Sequence, residues 1–383
     1  MLLSPWAPPP DGVAFHSKSL VDAWRLEGHE VAVVTSRSRD RRNANRPIVD
    51  ENGVNVIRCL GLIPRRTSKQ HLLDFQPDAL VVQFAIASQN TALISSIVFT
   101  WLARRLGFPV VTAFHEPARE IDRLGPLSRL IYRAVAKNTS SAAAYSKAGA
   151  AALTRSGLFV NATTLPHGCS SPVRVTDEDL DRVRDRYRVT SPLVLSLGFT
   201  HVDKGTDLLV RAMSDVDRSL EGNVQFLLAG SPRTRRGIFR LMASADRRFH
   251  ETLTMETRKL MGTTVQLSGY VPSEDVLPLL NLASAVVLPY RRATQSGVAN
   301  LALAARAIVL ASDIPELKDD LGPAALYFKS GSVPDLVKKL VTILREPHDE
   351  LRDEAGIRAT ERQYDIVAKR LITLGLSEEG EIP

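Results

Sequence analysis

The chain has 383 residues, 44% hydrophobic and 24% charged, the balance of a globular protein able to bury one large core or two ordinary ones. Disordered, collagenous and low-complexity readings are excluded. The 49 basic and 42 acidic side chains leave a net charge of +7, suited to a phosphate-bearing ligand, an acidic polymer or an anionic membrane surface, while two cysteines are too few for a disulfide framework or a zinc cluster.

In the first half, Met1–Ser4, Glu30–Thr35, Val54–Cys59, Ala79–Phe84, Val110–Phe114 and Ser141–Tyr145 are short apolar runs of strand size, each ending near a polar or Gly/Pro turn. Met1–Ser4 is short for a strand, which leaves an upstream start as one expectation. It also lacks the basic region and apolar run of a signal peptide, so a cytoplasmic protein is expected. Between the runs lie helical patterns at Ala14–Glu27, Thr91–Leu106 and Pro126–Lys137, the first two closed by Gly28 and Gly107. The stretch Leu93–Ala103 ends at Arg104-Arg105, far short of a bilayer span, and reads as a buried helix. Strand, helix and strand at this spacing imply parallel βαβ units.

The polar, charged segment Ser171–Thr190 reads as a linker with a first helix. After it, Leu193–Leu197, Val224–Ala229, Val265–Ser268, Ala285–Pro289, Ile308–Ser312 and Ala325–Phe328 repeat the strand signal, with helices at Thr206–Met213, Ser273–Leu282 and Val333–Glu346. The fold class expected is α/β, with two facing doubly wound domains. Ligands in such sheets bind outside the carboxyl ends of the strands, which points to a cleft between the domains.

Leu195-Ser-Leu-Gly198-Phe-Thr-His201-Val-Asp-Lys204-Gly205-Thr-Asp207 ends a strand, adds one lysine and begins a helix. Helix N-terminal N–H groups and one ammonium make a diphosphate site; the bland reading, a solvated lysine in a loop, weighs about the same on spacing alone. Pro289-Tyr-Arg291-Arg292-Ala-Thr294-Gln295-Ser296-Gly297 precedes an alanine-rich helix. Gly297 admits close approach of an anionic group and its neighbours can bind hydroxyls, against a plain N-cap at Thr294 or Ser296. Gly12 joins the first strand to the first helix, and Phe114-His115-Glu116 ends a strand with a titratable pair, His115 being able to hold a sugar hydroxyl or act on a proton. His167-Gly168 reads as a turn.

Ser4-Pro-Trp-Ala-Pro-Pro-Pro-Asp-Gly12, Leu26-Glu-Gly-His-Glu-Val31, Leu165-Pro-His-Gly168, Gly198 to Gly205, Leu228-Ala-Gly230, Leu267-Ser-Gly-Tyr-Val-Pro272 and Pro289 to Gly297 stand in the order found in retaining glycosyltransferases of family 4. The chain resembles that family over nearly its whole length. The resemblance implies a GT-B fold, with residues 1–172 as an acceptor-binding domain and 190–362 as a nucleotide-sugar-binding domain. Residues 363–383 then form a C-terminal helix and tail, for which packing back on the first domain is one arrangement. It further implies a hexosyltransferase that keeps the anomeric configuration and needs no metal ion or other cofactor. By position, Lys204 is the diphosphate lysine, with Gly198 and Gly205 in the same loop. Gly12 is the glycine-loop residue, His115 the first-domain residue near the reacting sugar, and Gly297 with Thr294, Gln295 and Ser296 the donor-sugar loop.

Departures from the pattern are specific. Phe199 stands where the family has arginine, and Thr294 and Ala302 stand where it has two glutamates; the stretch to Ile308 is one residue short, and the paired glycines of the first loop are reduced to Gly12. Arg291 or Arg292 is the candidate to replace the lost guanidinium, and Gln295 the first carboxylate.

The expected activity is therefore sugar transfer from a nucleotide-diphosphate sugar to an acceptor hydroxyl of a polysaccharide, glycolipid or glycoside precursor. The alternatives are a catalytically weak or silent sugar-nucleotide binder, which the departures favour, and a same-fold epimerase or hydrolase, which would need carboxylates that the donor loop lacks. Asp215-Val-Asp217 resembles a metal-binding pair but reads as solvated surface. The runs Arg233-Thr-Arg235-Arg236 and Arg247-Arg248 read as an exposed basic face or a partner site. The helix around Arg123–Lys137, with basic residues at three- and four-residue spacings, reads as a wet edge of the core or as a peripheral contact with an anionic membrane reaching a lipid-linked acceptor. Nucleic acid is not an expected partner, since aromatics make up only 6% and do not interleave with the basic clusters.

Overall fold

The computed structural model describes residues 1–6, 12–37, 47–50, 52–62, 67–89, 92–123, 125–171, 175–231, 243–260, 264–267, 269, 271–293 and 296–376. The chain forms two compact units, Met1–Gly168 with Tyr364–Pro383, and Cys169–Gln363.

In the first unit the order is β1 (Leu2–Leu3), α1 (Gly12–Leu26), β2 (Ala32–Ser36), β3 (Pro47–Val49), β4 (Asn55–Leu60), α2 (Thr67–Phe75), β5 (Leu80–Phe84), α3 (Ile86–Gln89), α4 (Leu93–Arg105), β6 (Val110–Phe114), α5 (Pro117–Arg123), α6 (Gly125–Ala136), β7 (Ser141–Ala144), α7 (Lys147–Arg155) and β8 (Thr163–Thr164). The sheet runs β3-β4-β2-β1-β5-β6-β7-β8, parallel except for the antiparallel pair β3 and β4. Although β1 has only two residues, both are fully buried and paired on each side, with Val33 and Val34 and with Val81 and Val82. It stops at Ser4 because Pro5 has no N–H for the ladder.

The second unit continues with α8 (Asp177–Arg186), β9 (Leu193–Leu197), α9 (Thr206–Ser219), β10 (Gln225–Ala229), α10 (Ala243–Lys259), β11 (Thr264–Leu267), α11 (Ser273–Leu282), β12 (Ala285–Leu288), α12 (Gly297–Ala304), β13 (Val309–Ser312), α13 (Pro315–Leu321), β14 (Ala325–Phe328), α14 (Val333–Arg345) and α15 (Asp349–Glu361). Its parallel sheet runs β11-β10-β9-β12-β13-β14. The last helix, α16 (Tyr364–Leu376), belongs to the first unit, where Trp24 Nε1 donates to the Ala368 carbonyl at 3.0 Å.

Strands buried on both faces split their alternate residues between two cores. In the first sheet, Leu3, Val34 and Val82 face α2, α4, α6 and α7, while Leu2, Val33 and Val81 face α1 and α16. In the second, Leu195, Val286 and Ala311 face α8, α11, α12, α13 and α15, while Val194, Val287 and Leu310 face α9 and α14. Each such Leu or Val gains about 1.5–3 kcal/mol over exposure. The apolar stretch before Arg104 is α4, which buries Phe99 and Ala103. No helix among the described residues is long and apolar enough to cross a membrane.

Both sheets reverse direction once. In the second unit the chain moves outward from β9 to β10 and β11, then returns to β12 on the other side of β9. In the first unit β5 returns beside β1 in the same way. The strand ends at β9 and β12, and at β1 and β5, are therefore crevices where a doubly wound sheet can hold a ligand.

Candidate functional site

At the crevice of the second unit, β9 ends at Gly198 (φ +118°). A short 3-10 turn, Val202–Lys204, follows, and α9 starts directly after Gly205. Gly205 has φ +61°, and a Cβ on it would lie 1.8 Å from the Pro289 carbonyl oxygen. Only glycine fits, because the backbone conformation is left-handed and the loop after β12 touches it. Two backbone bonds lace these loops together: the Asp203 carbonyl accepts from Arg291 N at 2.8 Å and from Arg292 N at 3.3 Å. A Cβ on Gly198 would meet Val298 of α12 at 3.2 Å, and one on Gly230 would meet the Gly198 carbonyl at 2.0 Å. The glycine positions thus let the β9, β10 and β12 loops close on one another.

Lys204 Nζ sits 3.6 Å from the centre of the Tyr290 ring, a cation–π contact, and makes no ion pair among the described residues. Tyr290 Oη is 3.2 Å from Ser296 Oγ, and Ser296 caps α12 by accepting from Ala299 N at 3.1 Å. The Ser296 N–H donates to the buried Asp320 carboxylate, which pairs with Arg362 at 2.6 Å. Lys204, Tyr290, Gly198, Phe199, Thr206 and Gly230 are among the residues lining a concavity of about 410 Å³, part of it open to solvent. His250 lines it too and holds Thr200 Oγ1 at 2.8 Å through Nδ1; burial lowers the His250 pKa from the usual imidazole value.

Of the two candidate arginines, Arg291 is committed elsewhere. Its guanidinium donates twice to the Asp207 carboxylate, at 2.7 Å each, and once to the Val202 carbonyl at 2.9 Å. It therefore ties the loop to α9. The exposed Arg292 side chain has no hydrogen bond or ion pair among the described residues. Thr294 and Gln295 lie outside the described residues. Phe199 is half exposed at the mouth, where it offers no charge.

In the first unit, Gly12 is the exposed first residue of α1, and a Cβ there would meet nothing within 4 Å. His115, after β6, is buried with Nε2 2.8 Å from Gln83 Oε1, which also accepts from Tyr145 Oη at 3.0 Å. Burial raises the Tyr145 pKa far above its ordinary value, so the hydroxyl keeps its proton. His16 of α1 packs its ring 5.4 Å from His115, 4.7 Å from Tyr145 and 4.3 Å from His167. His167, expected to be no more than a turn residue, is thus part of an imidazole cluster. Burial, with His167 and His115 alongside, pushes the His16 pKa well below its ordinary value, so the ring is neutral. Neither of its buried nitrogens has a hydrogen-bond partner, which costs about 1–3 kcal/mol per group.

The two crevices offer different chemistry. The β9/β12 crevice offers an anion Lys204 and the N-terminus of α9, whereas the β1/β5 strand ends gather the rings of His16, His115 and His167 with Tyr145, groups of the kind that exchange hydrogen bonds with hydroxyls. Sequence reasoning missed His16, Gln83, Tyr145, Tyr290, Asp207 and Asp320. A glutamine in the otherwise apolar strand Leu80-Val-Val-Gln-Phe84 was the one local sign of the first cluster.

Residues 11–168 match the model of the glycosyl transferase 4-like domain, and residues 191–346 that of glycosyl transferases group 1. No curated protein matches the chain. Solved structures of similar fold include sucrose-phosphate synthase from Thermosynechococcus elongatus, at 18% identity, 97% coverage of both chains and a TM-score of 0.71. Anabaena HepE in complex with UDP has 14% identity, 97% coverage of this chain, 98% of that chain and a TM-score of 0.73. A UDP-forming α,α-trehalose-phosphate synthase from Burkholderia xenovorans has 12% identity, 97% coverage of both and a TM-score of 0.74. At such identities the likeness shows the fold.

Proposed function

Because the chain belongs to the group 1, family 4-type glycosyltransferases with the GT-B fold, we propose that it moves a hexosyl group from a nucleotide-diphosphate sugar to an acceptor hydroxyl, with retention at the anomeric carbon and without a metal ion. The observation that carries this reading is the position of Lys204, without an ion pair among the described residues, just before α9 and braced on Tyr290, whose hydroxyl meets the α12 cap Ser296. As the glycosidic bond breaks, negative charge grows on the diphosphate oxygen. An ammonium and aligned N–H dipoles already aimed there stabilise that charge without reorganising. Arg292 adds the guanidinium that Phe199 does not supply, and Gly198, Gly205 and Gly297 admit the diphosphate backbone closely.

In this reading the acceptor is received by the first unit, past Gly12, with His115 holding a sugar hydroxyl. Proteins of similar fold agree with the class of ligand: Anabaena HepE was solved with UDP and glucose, and a Burkholderia xenovorans trehalose-phosphate synthase with glucose-6-phosphate. The enzyme works in the cytoplasm. Contact of α6 with an anionic leaflet is supported by the exposed Leu127 and Leu130 beside Arg129 and Arg133.

One observation favours a second reading, a silent sugar-nucleotide binder: Phe199 replaces an arginine, and Arg291 is bound to Asp207. A thermal-shift panel of UDP-, GDP- and dTDP-sugars identifies the donor, since ligand at a hundred times Kd stabilises by about 2.7 kcal/mol. Isotopically labelled donor then reports turnover. Transfer or slow hydrolysis giving a product of unchanged anomeric configuration is the expected result. Tight binding with no turnover establishes the silent reading, and an inverted product overturns retention.

A further inference from the structure

From Arg123 to Thr176 the sequence contains no aspartate or glutamate, although 42 of the 383 residues are acidic. Within that stretch lie α6, α7 and the segment leading to β8. Arg129 and Arg133, four residues apart, fall on one face of α6, and Arg155 is the last residue of α7. All three are exposed, and together with Ser156 and Leu158 they line one surface concavity whose empty space, open solvent included, is about 510 Å³. None of the three guanidinium groups has a hydrogen bond or ion pair among the described residues. Elsewhere the protein pairs its arginines readily, as with Arg291 and Asp207 or Arg362 and Asp320.

We propose that the Arg129, Arg133 and Arg155 cavity is a phosphate-binding site, separate from the β9/β12 crevice. Three forked guanidiniums around one concavity add their positive charge there, and a phosphate mono- or diester meets that charge while accepting bidentate bonds. The C-terminus of α7 opposes an anion there with about half a negative charge. Three full positive charges outweigh it, and Ser156 N donating to the Ala152 carbonyl at 3.0 Å already satisfies one terminal carbonyl. Leu127 and Leu130 stand exposed on the same helix as the two α6 arginines, so the phosphate can belong to a lipid headgroup or to a soluble ester.

The test titrates inorganic phosphate at low salt into the wild-type protein, into R129Q/R133Q/R155Q, and into the charge-matched R218Q/R258Q/R370Q, all exposed positions. Retention on phosphatidylcholine vesicles with and without phosphatidylglycerol is measured for the same three proteins. The wild type and the charge-matched protein should bind phosphate alike, with the site variant weaker by at least about tenfold, and Arg155→Gln alone should give part of that loss. Selective loss of phosphatidylglycerol vesicle binding in the site variant assigns the phosphate to a lipid; loss of free phosphate binding alone assigns it to a soluble ester. Equal weakening in both triple variants, or no phosphate binding by the wild type, overturns the site.

Discussion

Replacing Gly205 by alanine tests whether the β9 and β12 loops are a single built site. The left-handed backbone at φ +61° costs an alanine about 1–2 kcal/mol. The added Cβ, 1.8 Å from the Pro289 carbonyl oxygen, must then retreat beyond 3.0 Å, which separates the loops by more than the Asp203 bonds to Arg291 N and Arg292 N can span. Each lost bond is worth about 1 kcal/mol. The total, about 3–4 kcal/mol, corresponds to a fall in Tm of roughly 6–16 °C for a unit of this size. Because Tyr290 follows Pro289, the brace under Lys204 moves as well, and UDP affinity should drop by at least about tenfold. Gly297→Ala is the internal control for stability, since a Cβ there meets nothing within 4 Å. Thermal unfolding of the two variants and UDP titration of Gly205→Ala decide the matter: if Gly205→Ala melts like Gly297→Ala and binds UDP like the wild type, the interlock argument is wrong.

Other expectations follow from particular groups. Burial lifts the Glu120 carboxyl from 4.5 to about 7, while Tyr132 Oη donates to it at 2.7 Å. The folded chain therefore holds a proton there that the unfolded chain releases between pH 4.5 and 7, so this contribution to stability is complete below pH 4.5 and is lost as pH rises to about 7. Denaturation at pH 5 and pH 8 should show Glu120→Gln gaining on the wild type at the higher pH, by up to about 3 kcal/mol; identical pH dependence would contradict the buried, protonated carboxyl. Arg291→Ala should destabilise the second unit by about 1–3 kcal/mol by breaking its fork on Asp207, as urea titration would show. Arg292→Ala should leave stability unchanged and lower donor turnover; unchanged turnover removes it from the donor site.

The alternation of apolar strands with helices made both doubly wound units legible, because parallel strands covered on both sides are continuous apolar runs, as in Leu193-Val-Leu-Ser-Leu197. What escaped was short or polar. Pro47–Val49 is a three-residue edge strand with two of its residues exposed, and Thr163-Thr164 is a two-residue one. In α10 the sequence Ala243–Lys259 carries so many charges that its apolar face is faint. The candidate site divides the same way. Lys204, Gly205, Ser296 and Gly297 were visible because a loop and a helix start are local in sequence. The imidazole cluster was not, since α1, β5, β6 and the turn before Gly168 bring His16, Gln83, His115 and His167 together only in three dimensions. Arg291 was placed by proximity to Gly297, yet its partner Asp207 lies on α9, so its charge is spent within the fold.

Removing the charge at position 204 is the most direct measurement. With the identified donor, Lys204→Ala should weaken nucleotide-sugar binding by at least about tenfold and lower kcat by roughly 10²–10³, with Tm lowered by only about 1–4 °C, because the side chain makes no ion pair among the described residues and loses only its contact with Tyr290. Lys204→Ala that binds the donor and forms product at wild-type levels would contradict the account.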